Sequence, residues 1–511
     1  MKQHHIRGIH TIIAAASGTA AGALTAYPAG VWAVPASLLV LNLLMGKAVR
    51  RNAWYLLVWL QAYFMLSLGW LVWALQPSHG WGVGWSMALV FALLLAQAAA
   101  YVASYAVMAG LFAARARSRL LHGLSPAALW HPWAIGMAFL LAELGRAHWD
   151  VGTTWGSLAY SQVDNPALRA VFAWVGTPGV AALLMLFCAL LAQIVHCLWA
   201  RTDAPQPAAP TGARTLIPHA PIWSAGLLLL AWLGASMVNW TNSTRQTYPI
   251  RLVHTDMTEG AKFSDESQQA AAHLMLELAG HNDVVATLYP ELFLVHAPYL
   301  YDKAWRSEVL QAIRATGNHQ IVGMPDSLID KKGSLLGSTN SLVQLTPTGF
   351  GHRLAKETLI PFTEQTGGSK LIEWMQGAFN AYPSSNFVPG ARNTHPFIVG
   401  DLSIGAVICS ELMNPFIYHA RAANAHVMLN AASESWIDSP VLEGLIWQAT
   451  KARALESRKP LLRAANVGYA GYVHPDANIF RFTSLHQKWH VSAYEGITPY
   501  TRWMRWWYAR Q

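Results

Sequence analysis

Residues 405–415 read GAVICSELMNP, where an apolar run ends at a cysteine followed by Ser410 and Glu411. The chain has three cysteines, and Cys409 is the one outside the apolar first half, which holds Cys188 and Cys197. A lone cysteine that ends an apolar strand is most often a buried packing residue. The alternative is a nucleophile held where a strand turns, and the motifs around it bear on that choice.

Long apolar blocks fill the first 240 residues. The whole chain is 53% hydrophobic and 12% charged, whereas a soluble globular protein carries about 25% charged residues. About 20 apolar residues suffice to cross a bilayer, so the blocks predict a transmembrane bundle of about seven helices. The predicted spans are 9–26, 31–46, 53–75, 83–113, 128–146, 167–199 and 219–239.

Basic residues fall in alternate loops of this region, which predicts a cytoplasmic N-terminus under the positive-inside rule. With seven spans, the chain after residue 240 then lies on the opposite side of the membrane. We divide the sequence into a transmembrane bundle (1–240), an extracytoplasmic catalytic domain (241–495) and a tail rich in Trp and Arg (496–511). The net charge of +9 is dispersed over short loops, without the basic face that nucleic-acid binding requires.

Short β-branched runs alternate with helical patterns from residue 250 onward, which predicts an α/β fold. The predicted helices include 264–280, 303–317 and 415–425. Three polar residues follow apolar strands: Glu291 after DVVATLYP, Lys356 after GHRLA and Cys409 after LSIGAVI. Strand ends of an α/β sheet share one crevice. A carboxylate can take the thiol proton, and a lysine can stabilise the oxyanion formed when sulfur attacks a carbonyl. The three side chains are thus a complete set for acyl transfer.

The order of the motifs carries a family resemblance. LYPE (288–291), KETLIPFTE (356–364), ICSE (408–411) and KARALESRKPLLRAANVG (451–468) follow one another as in enzymes of the nitrilase, or carbon–nitrogen hydrolase, superfamily. AYSQVDNPAL (159–168) and TPYTR (498–502) extend the likeness beyond the α/β part. The chain most resembles the apolipoprotein N-acyltransferase family of bacteria, which matures lipoproteins at the inner membrane with the catalytic domain facing the periplasm.

The resemblance implies a nitrilase-like αββα sandwich without cofactor or metal. It implies Glu291 as general base, Lys356 as the oxyanion-stabilising residue and Cys409 as nucleophile, with Glu364 and Glu411 in support. The acyl donor would be a phospholipid, and the acceptor the N-terminal amine of an apolipoprotein or another amine. The implied pocket also includes Ser410 and Trp436, and the implied lipid-admitting lid holds Trp374, Met375 and Phe379.

Several positions depart from the family pattern. Ser410 replaces an aromatic residue, HTD (254–256) replaces QGN, and Ser433 replaces an asparagine. The tail RWMRWWYARQ stands where the family has an eighth span, and its composition predicts docking at the membrane–water boundary. These departures keep two alternatives open: a divergent homologue, such as those encoded with conjugal-transfer genes, that acts on another envelope substrate as amidase or acyltransferase, and an inactive membrane scaffold. The lid segment likewise has a plainer interpretation as a surface helix.

Overall fold

The computed structural model describes most of the chain. The described residues are 2–46, 48–74, 82–116, 126–148, 154–202, 219–295, 303–329, 335–360, 363–364, 370–379, 387–434, 437 and 439–510. Trp436 and parts of the predicted lid segment, 365–369 and 380–386, lie outside these ranges.

The first half folds into long helices that coincide with the predicted apolar spans. Their bounds are α1 Lys2–Leu24, α2 Gly30–Leu44, α3 Val49–Leu68, α4 Val83–Ala116, α5 Pro126–His148, α6 Arg169–Thr202 and α7 His219–Ser236. Close packing explains the small residues in α1, because a Cβ atom at Gly18 would lie 2.4 Å from the carbonyl oxygen of Trp59. Among the described residues, Val83–Phe112 and Arg169–Trp199 are long and apolar enough to cross a membrane, and Gly30–Leu44 and Ile222–Ser236 are shorter apolar helices. The count of seven spans stays a prediction.

Helix α6 is kinked near its start. Gly176 has a φ of 63°, and Pro178 follows two residues later, where it removes a helical hydrogen bond. The ring of Tyr500 packs against Gly176 so closely that a Cβ atom there would lie 2.1 Å from a ring carbon. Only glycine satisfies both the left-handed backbone and this contact. The kink therefore fits the helical region to the C-terminal helix that carries Tyr500.

The second half contains two sheets. The strands are β1 Thr241–Thr255, β2 Ala286–Leu288, β3 His319–Ile329, β4 Leu335–Thr346, β5 Gly349–Ala355, β6 Phe397–Val399, β7 Leu402–Ile408, β8 Val427–Ser433, β9 Leu461–Asn466, β10 Ala470–Val473, β11 Ile479–Phe482 and β12 His486–Gly496. Within the described ranges the first sheet has the order β12-β1-β2-β3-β4-β5, and the second has the order β6-β7-β8-β9-β10-β11. The sheets meet where His254 and Thr255 of β1 pair with β9.

The same half contains further helices. They are α8 Glu259–Lys262, α9 Asp265–Ala279, α10 Lys303–Thr316, α11 Lys370–Phe379, α12 Pro415–Ala422, α13 Pro440–Ser457 and α14 Pro499–Tyr508. Apolar side chains of both sheets share one core. Helices α9 and α10 pack on the outer face of the first sheet, and α12 and α13 lie between the second sheet and the helical region. The α/β fold is confirmed, and its layers follow the order αββα.

Candidate active site

Cys409 lies at the corner where β7 ends and the short 3₁₀ helix Cys409–Met413 begins. Its φ is 48°, an uncommon value for a residue with a side chain. The turn is fixed from two sides. Asn430 donates to the backbone carbonyl of Cys409 at 3.3 Å, and the NH of Ile408 donates to the Glu411 carboxylate at 2.9 Å. Such strain persists where surrounding contacts enforce it, as at functional sites.

Glu291 lies in the loop after β2, buried beside the cysteine. Its Oε1 accepts from Asn340 Nδ2 at 2.7 Å and lies 3.3 Å from Lys356 Nζ. Cys409 Sγ lies 4.0 Å from the carbonyl oxygen of Ser433, and the charge of the Glu291 carboxylate acts on the thiol. The loop packs directly on β3, since a Cβ atom at Gly323 would lie 2.1 Å from the carbonyl oxygen of Pro290. A glycine at this position lets the backbone that carries Glu291 come close to the sheet.

Lys356 follows β5 and is almost completely buried. Its ammonium group lies 2.7 Å from each carboxylate oxygen of Glu364. Glu364 is held in turn by the NH of Ile360 at 2.8 Å and by Asn340 Nδ2 at 3.2 Å. Asn340 thus bonds to both carboxylates that flank the lysine. Glu291, Lys356 and Glu364 form one bonded cluster, and the charges of all three act on the Cys409 thiol.

Glu411 has a different position from the other predicted residues. Its side chain turns away from the thiol and is fully buried, where it accepts from the backbone NH of Glu357 at 2.7 Å and from Arg421 at 2.8 Å. Arg421 also donates to Glu357 at 2.6 Å. Because Glu357 follows Lys356 and Glu411 lies in the cysteine turn, this bridge fixes the lysine relative to the nucleophile.

The charges of the cluster are strongly coupled. Burial raises the pKa of the Cys409 thiol to about 12, and Glu291 adds to the rise while Lys356 opposes it. Burial alone would raise the pKa of Glu291, but Lys356 and Lys262 lower it below its ordinary value. Burial alone would lower the pKa of Lys356, but Glu364 and Glu291 raise it. At neutral pH the site therefore holds a neutral thiol, an ionised carboxylate and an ammonium ion.

Sequence reasoning missed several residues of the cluster. Asn466 donates to the backbone carbonyl of Glu291 at 2.9 Å. Lys262, buried at the end of α8, lies 3.3 Å from Ser433 Oγ, and Arg463 bonds to Asn430. Asn430 and Arg463 could have been noticed in the sequence, because each is a polar residue within an apolar run of its strand. Buried polar groups in strands require partners.

The other predicted site residues are less informative. Ser410 is half-buried beside the nucleophile. Trp374 is 64% exposed on α11, while the side chains of Met375 and Phe379, like all of Trp436, lie outside the description. Among the residues that the structure describes, no group of three or more His, Cys, Asp or Glu side chains could hold a metal ion.

The protein combines a region of apolar helices with an αββα domain that contains a buried cluster of carboxylate, lysine and cysteine side chains. Residues 17–190 match the family model of the apolipoprotein N-acyltransferase N-terminal domain. This match covers most of the helical region and leaves Cys409 outside.

Relatives extend the likeness across both halves. The apolipoprotein N-acyltransferase of Chromobacterium violaceum is 25% identical over 383 residues, which is 72% of this chain and 68% of the relative. The protein of the same name from Pseudomonas aeruginosa is 26% identical over 390 residues, 73% of this chain and 70% of the relative. The predicted resemblance to apolipoprotein N-acyltransferases is confirmed.

Solved structures show some likeness to about half of the chain. A cysteine-to-alanine mutant of the Nesterenkonia AN1 amidase from the nitrilase superfamily is 17% identical and has a TM-score of 0.35; the match covers 52% of this chain and 98% of the amidase. A carbon–nitrogen hydrolase from Helicobacter pylori G27 is 14% identical with a TM-score of 0.35, over 52% of this chain and 94% of the hydrolase.

Proposed function

We propose that this chain is a membrane-embedded acyltransferase that moves a fatty acyl group from a phospholipid to the N-terminal amine of an apolipoprotein, through a thioester on Cys409. The observation that carries the proposal is the buried cluster in which Lys356 Nζ lies 3.3 Å from the Glu291 carboxylate and both charges act on the Cys409 thiol. The names of the relatives supply the substrate class.

In the first half-reaction, Cys409 Sγ attacks the ester carbonyl of the phospholipid while Glu291 takes the thiol proton. Because the pKa of the thiol is about 12, the proton leaves the sulfur as the new carbon–sulfur bond forms. Lys356 stabilises the tetrahedral oxyanion. The carbon–oxygen bond then breaks, the lysophospholipid alcohol leaves with the proton from Glu291, and the acyl group remains on sulfur.

In the second half-reaction, the acceptor amine attacks the thioester carbonyl. Glu291 removes a proton from the amine, the carbon–sulfur bond breaks, and the proton returns to Cys409. The product is an amide, and atoms balance without metal, water or redox partner. Glu364 acts as a positioning residue, because its bonds to Lys356 at 2.7 Å hold the ammonium group beside Glu291.

The helical region would hold the site at the membrane. We infer that the chain crosses the bacterial inner membrane several times, with the α/β domain on the periplasmic side, where lipoprotein N-termini and the outer leaflet are both available. The alternating basic loops support this orientation. The two membrane-length helices and two shorter apolar ones support the membrane placement.

Trapping the thioester tests the chemistry. The purified full chain is incubated with phosphatidylethanolamine and no acceptor, and intact-mass spectrometry measures an adduct of one acyl group. We expect the adduct in wild type and in Cys197→Ala, a control at the other half-buried cysteine, and none in Cys409→Ala. An active preparation without an adduct on Cys409 would exclude the mechanism.

Complementation tests the substrate. A strain depleted of its own lipoprotein N-acyltransferase should grow when it expresses this chain and should fail with Cys409→Ala. If an expressed wild type forms the thioester but does not rescue growth, the acceptor is another amine, and the divergent homologue is the correct alternative.

A further inference from the structure

An apolar cleft lies between α6 and α7, in the part of these helices nearest the α/β domain. Its volume is about 430 Å³, and all of its lining residues are apolar, with Trp174 and Phe187 on α6 and Ala231 and Trp232 on α7 among them. The cleft follows α6 for about four turns. The indole NH of Trp174 donates to the carbonyl of Ala235 at 3.3 Å, so the ring is fixed at the end of the cleft nearest the start of α6.

A cluster of positive charge lies where α6 begins, directly above the cleft. Two basic side chains, those of Arg169 and Lys451, contact the carboxylate of Asp164, and Arg458 lies next to Arg169. Lys451 Nζ contacts both oxygens of Asp164 at 2.8 and 3.0 Å, and Arg169 Nη2 lies 3.5 Å away. Arg458 Nη2 donates to the carbonyl of Arg169 at 3.3 Å, which brings the second guanidinium beside the first.

The charges of this cluster do not balance. Within the described ranges, Arg458 makes no ion pair, and Asp476, whose charge reaches Arg458, is bonded to His474 at 2.6 Å. Three cations against the carboxylates of Asp164 and Asp476 leave an excess of one positive charge. Arginine suits phosphate, because its planar donors match the phosphate oxygens.

We propose that the cleft binds one acyl chain of an anionic glycerophospholipid whose phosphate lies at Arg169 and Arg458. Charge complementarity identifies this occupant. An apolar cleft alone would accept any hydrocarbon chain, whereas a cleft next to an excess of cations selects a lipid with an anionic headgroup. The inference rests on the proposed membrane placement and is independent of the thioester chemistry. It adds a lipid site formed by α6, α7 and the end of α13, none of which carries a residue of the catalytic cluster.

Native mass spectrometry of the full chain in a neutral detergent tests the site. All proteins carry Cys409→Ala, so that no acyl transfer occurs, and are titrated with phosphatidylglycerol or phosphatidylcholine. We expect wild type to prefer phosphatidylglycerol. The double variant Arg169→Gln/Arg458→Gln should bind it about tenfold more weakly, the loss of one to two charge-assisted hydrogen bonds, and should lose the preference over phosphatidylcholine.

Two further variants separate the acyl chain from the headgroup. Ala231→Phe fills the cleft and should weaken both lipids, whereas Leu229→Phe, on the exposed side of the same helix, should weaken neither. Arg314→Gln, an exposed residue of α10 on the far helical layer, is the charge control and should bind as wild type does. Unchanged thermal unfolding midpoints confirm that the variants are folded.

The outcomes are distinct. Unchanged binding in the arginine double variant, or in Ala231→Phe, would overturn the proposal. Glycerol 3-phosphate is added as a competitor that has the phosphate without the chains. If it displaced phosphatidylglycerol at equal concentration, the site would recognise a soluble phosphate, and the lipid assignment would be wrong. Failure of the thioester experiment would leave these results untouched.

Discussion

Glu456 of α13 accepts hydrogen bonds from both the backbone NH and the hydroxyl of Thr177, the residue after the Gly176 kink of α6; the NH bond is 2.6 Å long. The same carboxylate bonds to Arg453 and to His419, the latter at 2.9 Å. Every one of these side chains is fully buried. A single carboxylate therefore joins the helical region to two helices of the α/β domain.

We call this buried network around Glu456 the joint. It reaches the turn that begins at Cys409 through Arg453. Its Nε donates to the carbonyl of Leu412 at 2.8 Å, and its Nη2 donates to Thr154 at 3.0 Å. Leu412 belongs to the 3₁₀ turn that begins at Cys409. A shift of α6 relative to the α/β domain would therefore be transmitted to Leu412, three residues after Cys409.

The first prediction concerns the stability of this joint. Burial alone would raise the pKa of Glu456, but Arg453 and the other partners lower it to about 2. The pKa of an unfolded glutamate is about 4.3. A lowered folded pKa contributes stability that is present above the unfolded value and is lost as the pH falls through the folded value. Glu456→Gln should cost about 3 kcal/mol at pH 7, because Arg453 is left buried without its charge partner.

Thermal unfolding of the detergent-solubilised chain at pH 7, 4 and 3 measures this effect. The difference between wild type and Glu456→Gln should shrink as the pH falls from about 4 toward 2. Glu443→Gln, on the first turn of the same helix with a half-exposed side chain, should change the midpoint little. A gap of the same size at every pH would mean that packing, and not the ionised carboxylate, stabilises the joint.

The second prediction concerns Lys262, which lowers the pKa of Glu291 without belonging to the predicted triad. Lys262→Met removes a cation, so the pKa of Glu291 should rise and the base should require a higher pH to be ionised. The acidic limb of thioester formation against pH should move upward. Single-turnover acylation between pH 2 and 9 measures the limb.

Lys303→Met provides the matched control for that shift, because Lys303 is an exposed lysine of α10. Its profile should coincide with that of wild type. A uniform loss of rate in Lys262→Met, without movement of the limb, would contradict an electrostatic role and would indicate that the lysine merely supports the loop near Ser433.

The sequence predicted the elements that bury apolar faces. The predicted helices 264–280, 303–317 and 415–425 agree with α9, α10 and α12 to within a few residues, because each has a strong 3.6-residue periodicity or a capping residue. Asn414, for example, caps α12 through bonds to two backbone NH groups. The strands β10, β11 and β12 were not predicted, because polar residues interrupt their alternation and β12 pairs with β1, which is distant in sequence.

The catalytic cluster was predictable in identity and not in arrangement. Glu291, Lys356 and Cys409 each follow an apolar strand, and strand ends converge in an α/β fold. The role of Asn340, which joins two carboxylates, depends on β4 pairing antiparallel with β3 and β5, and no local signal encodes that pairing. Glu411 was placed correctly near the cysteine, but its bridge to Glu357 depends on contact between residues 54 positions apart.

The third prediction concerns Ser410, the half-buried residue after the nucleophile. Ser410→Tyr adds a ring beside the thioester and should reduce the rate with long acyl donors more than with short ones, because overpacking opposes the larger group. Ser410→Ala, which removes only the hydroxyl, is the control and should preserve the order of preference. Rates of acyl-enzyme formation with donors of graded chain length measure this, and an unchanged order in Ser410→Tyr would exclude the residue from the acyl pocket.

The last prediction concerns α14, whose two faces differ. Met504 and Tyr508 are buried, and the Tyr508 hydroxyl donates to Glu357 at 2.7 Å, so truncation would disturb the bridge beside Lys356. Trp503 and Trp506 are exposed on the other face, as expected for a helix at the membrane–water boundary. A spin label on Trp506→Cys, in a Cys409→Ala background in vesicles, should be more accessible to oxygen than to a water-soluble nickel chelate. A label on Arg314→Cys should show the reverse, and equal behaviour at both positions would show that α14 does not contact lipid.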